Sequence, residues 1–113
     1  MEKRLREMEN KYFDLVWFAR KPRGEDGGPI PMHILKTNPK YADTPDQIIK
    51  DMMTHVMRIQ GEYPEETEAL NDYEMADWSH GFNSGALAAF RWVMTAKEYG
   101  VEEADSEFPF LDT

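Results

Sequence analysis

The sequence predicts an all-α protein: a small three-helix bundle with a long irregular connection after the first helix and an acidic C-terminal tail, forming one domain over residues 1–113. Three observations predict it. Apolar side chains recur at helical spacing through residues 2–20. Thr44-Pro45-Asp46-Gln47 reads as a helix start. Asp77 to Gly100 reads as one long helix.

The first helix places Leu5, Met8, Tyr12, Leu15 and Ala19 on one side, with Val16 widening the face and Lys and Arg opposite. Tyr12 to Phe18 is aromatic enough to compete as a strand, paired with Ile30 to Thr37 in a β-hairpin, but the unbroken periodicity from Leu5 favours the helix. Pro22, Gly24, Gly27, Gly28, Pro29, Pro31 and Pro39 forbid a continuous helix over residues 21–43, which reads as an extended arm anchored by Met32, Ile34 and Leu35. The second helix covers about 45–60, with Thr44 as cap, Pro45 at the first helical position and Gln47 completing a capping box. Ile48, Ile49, Met52, Met53, Val56 and Ile59 make its buried face, and Gly61 its stop. Pro64 begins a short helix at Glu65 to Leu70. The last helix covers about 74–99 and ends at Gly100. Residues 101–113 read as an acidic tail, with Phe108, Pro109, Phe110 and Leu111 able to tuck onto the body or into a partner. Met52, Met53, Met57, Met75 and Met94 read as core filler.

The chain has 113 residues, 41% apolar and 31% charged, a globular composition. It has no run of 18 apolar residues, so no membrane span is expected, and MEKRLREMENK lacks the apolar stretch of a secretory signal. Cysteine is absent, which excludes disulfides, thiolate metal sites and cysteine nucleophiles and suits a reducing cytoplasm.

The net charge of −9 is unevenly spread. Residues 1–23 hold seven Lys/Arg against four Asp/Glu, whereas residues 59–90 hold no Lys or Arg and seven acids (Glu62, Glu65, Glu66, Glu68, Asp72, Glu74, Asp77). Nucleic-acid phosphates repel such a surface, so direct binding to DNA or RNA is not expected. Solubility or docking on a basic partner is.

The most informative feature is the stripe Gly81, Gly85, Ala89, spaced four apart inside the last helix and flanked by Trp78, Phe82 and Trp92. A glycine in a helix interior costs about 1 kcal/mol relative to alanine, so the pair requires a compensating reason. Close passage of another backbone supplies one: either another helix of the same chain, or a second copy meeting the same stripe in a homodimer.

Glu74, Asp77, His80 and Ser84 lie along one side of the same helix, and Asp51 and His55 are four apart on the second. Glu74, Asp77 and His80 are therefore the candidate ligands for a divalent metal, set against an ordinary exposed polar face. An Asp77–His80–Ser84 catalytic triad lacks an oxyanion hole. Glu74-Met75-Ala76-Asp77 resembles the second half of the magnesium-binding motif of all-α nucleotide pyrophosphohydrolases of the MazG type. Glu65-Glu66-Thr67-Glu68 departs from the first half in spacing. That resemblance implies a divalent-metal-dependent nucleotide hydrolase as the enzymatic alternative. Gly24 to Gly28 lacks the lysine of a phosphate loop and reads as a turn. With no catalytic residue identified, the chain reads as a non-enzymatic protein without a cofactor.

His80-Gly81-Phe82-Asn83-Ser84-Gly85, followed by Leu87-Ala88-Ala89 and Arg91, resembles a segment of small uncharacterised proteins of tailed phages of marine and cyanobacterial hosts. Asp77-Trp78, Tyr63-Pro64-Glu65-Glu66 and Tyr12 to Trp17 are fainter parts of the same likeness. The resemblance implies a virus-encoded accessory protein of the host cytoplasm and no particular activity. It also implies that His80, Asn83 and Ser84 can serve as polar links between helices. The sequence therefore points to a small acidic helical interaction protein that binds itself or a host protein.

Overall fold

The computed structural model describes residues 1–107, which form six helices: α1 (Glu2–Arg20), α2 (Met32–Leu35), α3 (Asp46–Glu62), α4 (Pro64–Asn71), α5 (Ala76–Tyr99) and α6 (Val101–Glu107). Among the described residues there is no strand, and Tyr12 to Phe18 is helical, so the hairpin alternative is not realised. The three long helices fall where periodicity places them. The expected count of three omits α2, one turn within the arm, α4 as a packed element, and α6, which occupies the first half of the expected tail. The apolar run Phe108 to Leu111 lies outside the described residues.

The main core gathers Leu15 and Phe18 of α1, Leu35 of α2, Ile49, Met53, Val56 and Ile59 of α3, and Leu70 of α4. On α3 this is the helical stripe i, i+4, i+7, i+10. The face is narrower than the sequence suggests. Ile48, Met57 and Met75 are exposed, and Ile34 turns outward while Leu35 is buried. The start of α3 also differs. Pro45 occupies the cap position with no side-chain cap bond, and Gln47 bonds Asp51 instead of closing a capping box. Gly61 does not end α3, which runs one residue further and then turns at Tyr63 into Pro64, the first residue of α4.

The arm between α1 and α3 is held by polar contacts. The Arg23 guanidinium lies over the Phe18 ring at 4.5 Å, donates to the carbonyl oxygens of Phe18 and Lys21 at the end of α1, and donates from Nε to Asn71 Oδ1 at 2.7 Å. Gly27 sits at φ +81°, and its carbonyl accepts from Gln60 (3.1 Å) and Asn71 (3.3 Å). A Cβ at Gly27 would clash with the Asn71 side chain. Gly27 is thus a glycine required both by its backbone conformation and by a close neighbour.

Helix α5 packs most extensively against α1, then against α6 and α4. Its buried residues are Ser79, Asn83, Leu87 and Ala88, a short and partly polar face. Gly100, at φ +98°, ends α5, and α6 folds back onto it, burying Ala104 completely and accepting a 2.8 Å hydrogen bond from Trp92 Nε1 at Asp105 Oδ1.

The two kinds of glycine should respond oppositely to alanine. Gly27→Ala is expected to lower stability by about 1–3 kcal/mol through its positive φ and the clash with Asn71. Gly61→Ala, at an exposed helical position of α3 with open space around it, is expected to raise it by about 0.5–1 kcal/mol. Urea unfolding followed by circular dichroism measures both.

Candidate functional site

The groove expected within the chain at the small-residue stripe is not filled. Gly81, Gly85 and Ala89 are exposed, and among the described residues no atom comes within 4 Å of a Cβ built at either glycine. The reason is rotational. At 100° per residue, Gly81 and Gly85 stand on the side of α5 opposite Asn83, and it is the Ser79–Asn83–Leu87 side that α1 and α4 cover. Of the flanking aromatics, Trp78 is 66% and Phe82 53% exposed, while Trp92 is half-buried and bonded to α6.

The proposed ligand residues do not converge. Glu74 lies in the turn before α5, where its own N–H donates to Asp72 Oδ1. Asp77 is exposed in the first turn of α5, and His80 is half-buried, its Nδ1 enclosed without a hydrogen-bond partner among the described residues. Asp51 accepts from the Gln47 amide, and His55 stands edge-on to Trp17 at 4.5 Å. Among the described residues, no group of three or more His, Asp or Glu is placed to hold a metal ion. His55 belongs to a different arrangement. The buried Asp14 of α1 accepts from Arg58 of α3 at 3.0 Å, His55 Nε2 lies 3.7 Å from the same carboxylate, and Arg58 also reaches Glu62. This network ties α1 to α3, and its hydrogen bonds to Asp14 and Glu62 raise the Arg58 guanidinium above its ordinary value.

One cavity of about 290 Å³ lies where α1, α4 and α5 meet, lined by Tyr12, Glu65, Glu66, Trp78, Ser79, Phe82 and Asn83 with Ala69. Its wall is an aromatic row. Trp78 stacks on Phe82 at 5.4 Å with the ring planes 10° apart, Tyr12 meets Phe82 edge-on at 6.2 Å, and Tyr12 stacks on Phe90 at 5.8 Å. Its floor is Ser79 and Asn83, 6% and 5% exposed. Neither side chain makes a hydrogen bond among the described residues. At its edge Glu66 pairs with Lys11 at 2.6 Å, and the Lys11 ammonium lies within 6 Å of the Tyr12 and Tyr63 rings. Burial alone would push the Glu66 carboxyl up, but the Lys11 hydrogen bond and a backbone bond outweigh it and hold the group below its ordinary value. The Glu66 hydrogen bond raises Lys11 in turn, against desolvation.

In the sequence this cavity is hard to see. Tyr12 reads as core, and Glu65 as one acid among many. Ser79 and Asn83 carry the one available signal, a polar step four residues long on the same side as Leu87.

The sign of the Glu66 shift fixes a pH dependence. A carboxyl held low in the folded state stabilises above its unfolded value, and that contribution is lost as pH falls through the folded value. The raised Lys11 value has the mirror effect, lost at the alkaline end. Lys11→Met should therefore lower stability at neutral pH, and its deficit against the parent protein should shrink as pH drops below the ordinary glutamate range. Thermal melts across pH 3–8 measure the difference.

Compared with protein-family models, with curated proteins and with solved structures, the chain finds no match.

Proposed function

We propose that this chain is a small acidic helical interaction protein that self-associates through the outer face of α5. The observation that supports this reading is the exposure of Gly81 and Gly85 beside Trp78 and Phe82. Each helical glycine costs about 1 kcal/mol relative to alanine, and no described part of the chain recovers that loss by packing on it. A second α5 crossing at the same stripe does. Small residues let two helix backbones approach closely, and a two-fold axis brings Gly85 against its own copy, with the exposed aromatics covering the contact. The resemblance to small tailed-phage proteins supports placing the protein among virus-encoded accessory proteins of the host cytoplasm. The hydrolase alternative has no support from geometry, since Glu74, Asp77 and His80 do not converge. Among the described residues, no helix is long and apolar enough to cross a membrane.

Light scattering coupled to gel filtration tests the proposal. The expected mass is twice the 13.2 kDa of one chain. Gly85→Leu is expected to return the mass to one chain that keeps the parent's helical content, because nothing within the described chain occupies that space. A monomer at high concentration removes self-association and leaves the face to a host protein.

A further inference from the structure

The cavity between α1, α4 and α5 lies beside the proposed contact and is separated from it by the Trp78–Phe82 ridge. Three independent features define what it can hold. First, Ser79 and Asn83 are more than nine-tenths buried, line the cavity, and have no hydrogen-bond partner among the described residues. Among the described residues the one enclosed side-chain polar atom without a partner is His80 Nδ1, so the Ser79 and Asn83 polar groups keep solvent contact through the cavity, where their oxygens can accept from an N–H donor. Second, the wall presents the stacked and exposed pair Trp78 and Phe82, aromatic surface that attracts a cation, whereas the Tyr12 ring already meets Phe90 and the Lys11 ammonium. Third, the mouth carries one uncompensated negative charge. Lys11 neutralises Glu66, Glu65 makes no ion pair among the described residues, and no Lys or Arg occurs anywhere in residues 59–90.

We propose that this cavity is a binding site for a primary alkylammonium ion. The ammonium N–H groups donate to Ser79 Oγ and Asn83 Oδ1. Its charge is balanced by Glu65, and its alkyl stem lies along the aromatic wall. A quaternary ammonium has the charge but no N–H for the floor. A neutral alcohol has the donor but not the charge. Glu65 and the Lys11-paired Glu66 do not make the group of three or more ligands that would hold a divalent metal, and an anion meets Glu65 and the acidic start of α4 and α5. The same ammonium chemistry is carried by a free polyamine and by a lysine side chain.

The probe is n-butylammonium chloride, titrated into the full chain and followed by NMR at the Asn83 side-chain amide and the Trp78 indole. The expected result is saturable shifts at both groups, absent with n-butanol and weaker with tetramethylammonium. Asn83→Leu and Trp78→Ala should each weaken binding by about fivefold or more, the scale of one charge-assisted bond or one cation–π contact. Glu65 is exposed, so Glu65→Gln keeps the fold and should weaken binding while reducing its salt dependence. Gly85→Leu should bind as the parent chain does, which separates this site from the proposed self-association. Spermidine binding more tightly than a lysine peptide assigns the free polyamine, and the reverse order assigns the side chain. Shifts that never saturate, equal binding of n-butanol, unchanged binding in Glu65→Gln and Asn83→Leu together, or loss of binding in Gly85→Leu would each overturn the proposal.

Discussion

Helix α1 is covered on two sides at once, and the rest of the structure follows from that constraint. Leu15 and Phe18 enter the core built by α2, α3 and α4, while α5 lies along α1 more extensively than along any other helix. The Asp14–Arg58 pair fixes α1 against α3, and the Lys11–Glu66 pair fixes it against α4. Because α1 serves both layers, α5 stands outside the main core. It buries only a short strip of its own and leaves its opposite side open. The cavity at the α1–α4–α5 junction and the bare stripe on the far side of α5 are two results of that one placement.

Much of this architecture is legible in the sequence. The apolar spacing in residues 2–20 marks α1, Pro64 marks the start of α4, and Gly100 marks the end of α5. What is not legible has physical causes. Helix α6 is seven residues long and acidic, too short to be stable alone; Ala104 and the Asp105–Trp92 bond hold it through tertiary packing. Helix α2 is a single turn inside an arm punctuated by prolines, where propensity argues for no helix at all.

The rotation of α5 about its own axis is not encoded in its small-residue spacing. A period of four identifies a stripe of small side chains, but it does not say which side of the helix the chain covers. Here the covered side begins with two polar residues, Ser79 and Asn83, and the open side holds Gly81, Gly85 and Ala89, the stripe from which a contact is expected. The close approach expected at Gly81 and Gly85 occurs instead at Gly27, where Asn71 presses on the backbone. In sequence that glycine is one member of an ordinary turn, because its partner lies 44 residues away.

The central claim is that the open side of α5 meets its own copy, and the absence of cysteine from the chain allows a direct geometric test. In a two-fold crossing at the stripe, position 85 faces itself at a Cα separation of about 5–6 Å, within reach of a disulfide. Under mild oxidation Gly85→Cys should form a covalent dimer at low protein concentration, while a cysteine placed at exposed Thr54 should not. A Gly85→Cys chain that stays monomeric with a thiol fully open to a bulky maleimide would contradict the account.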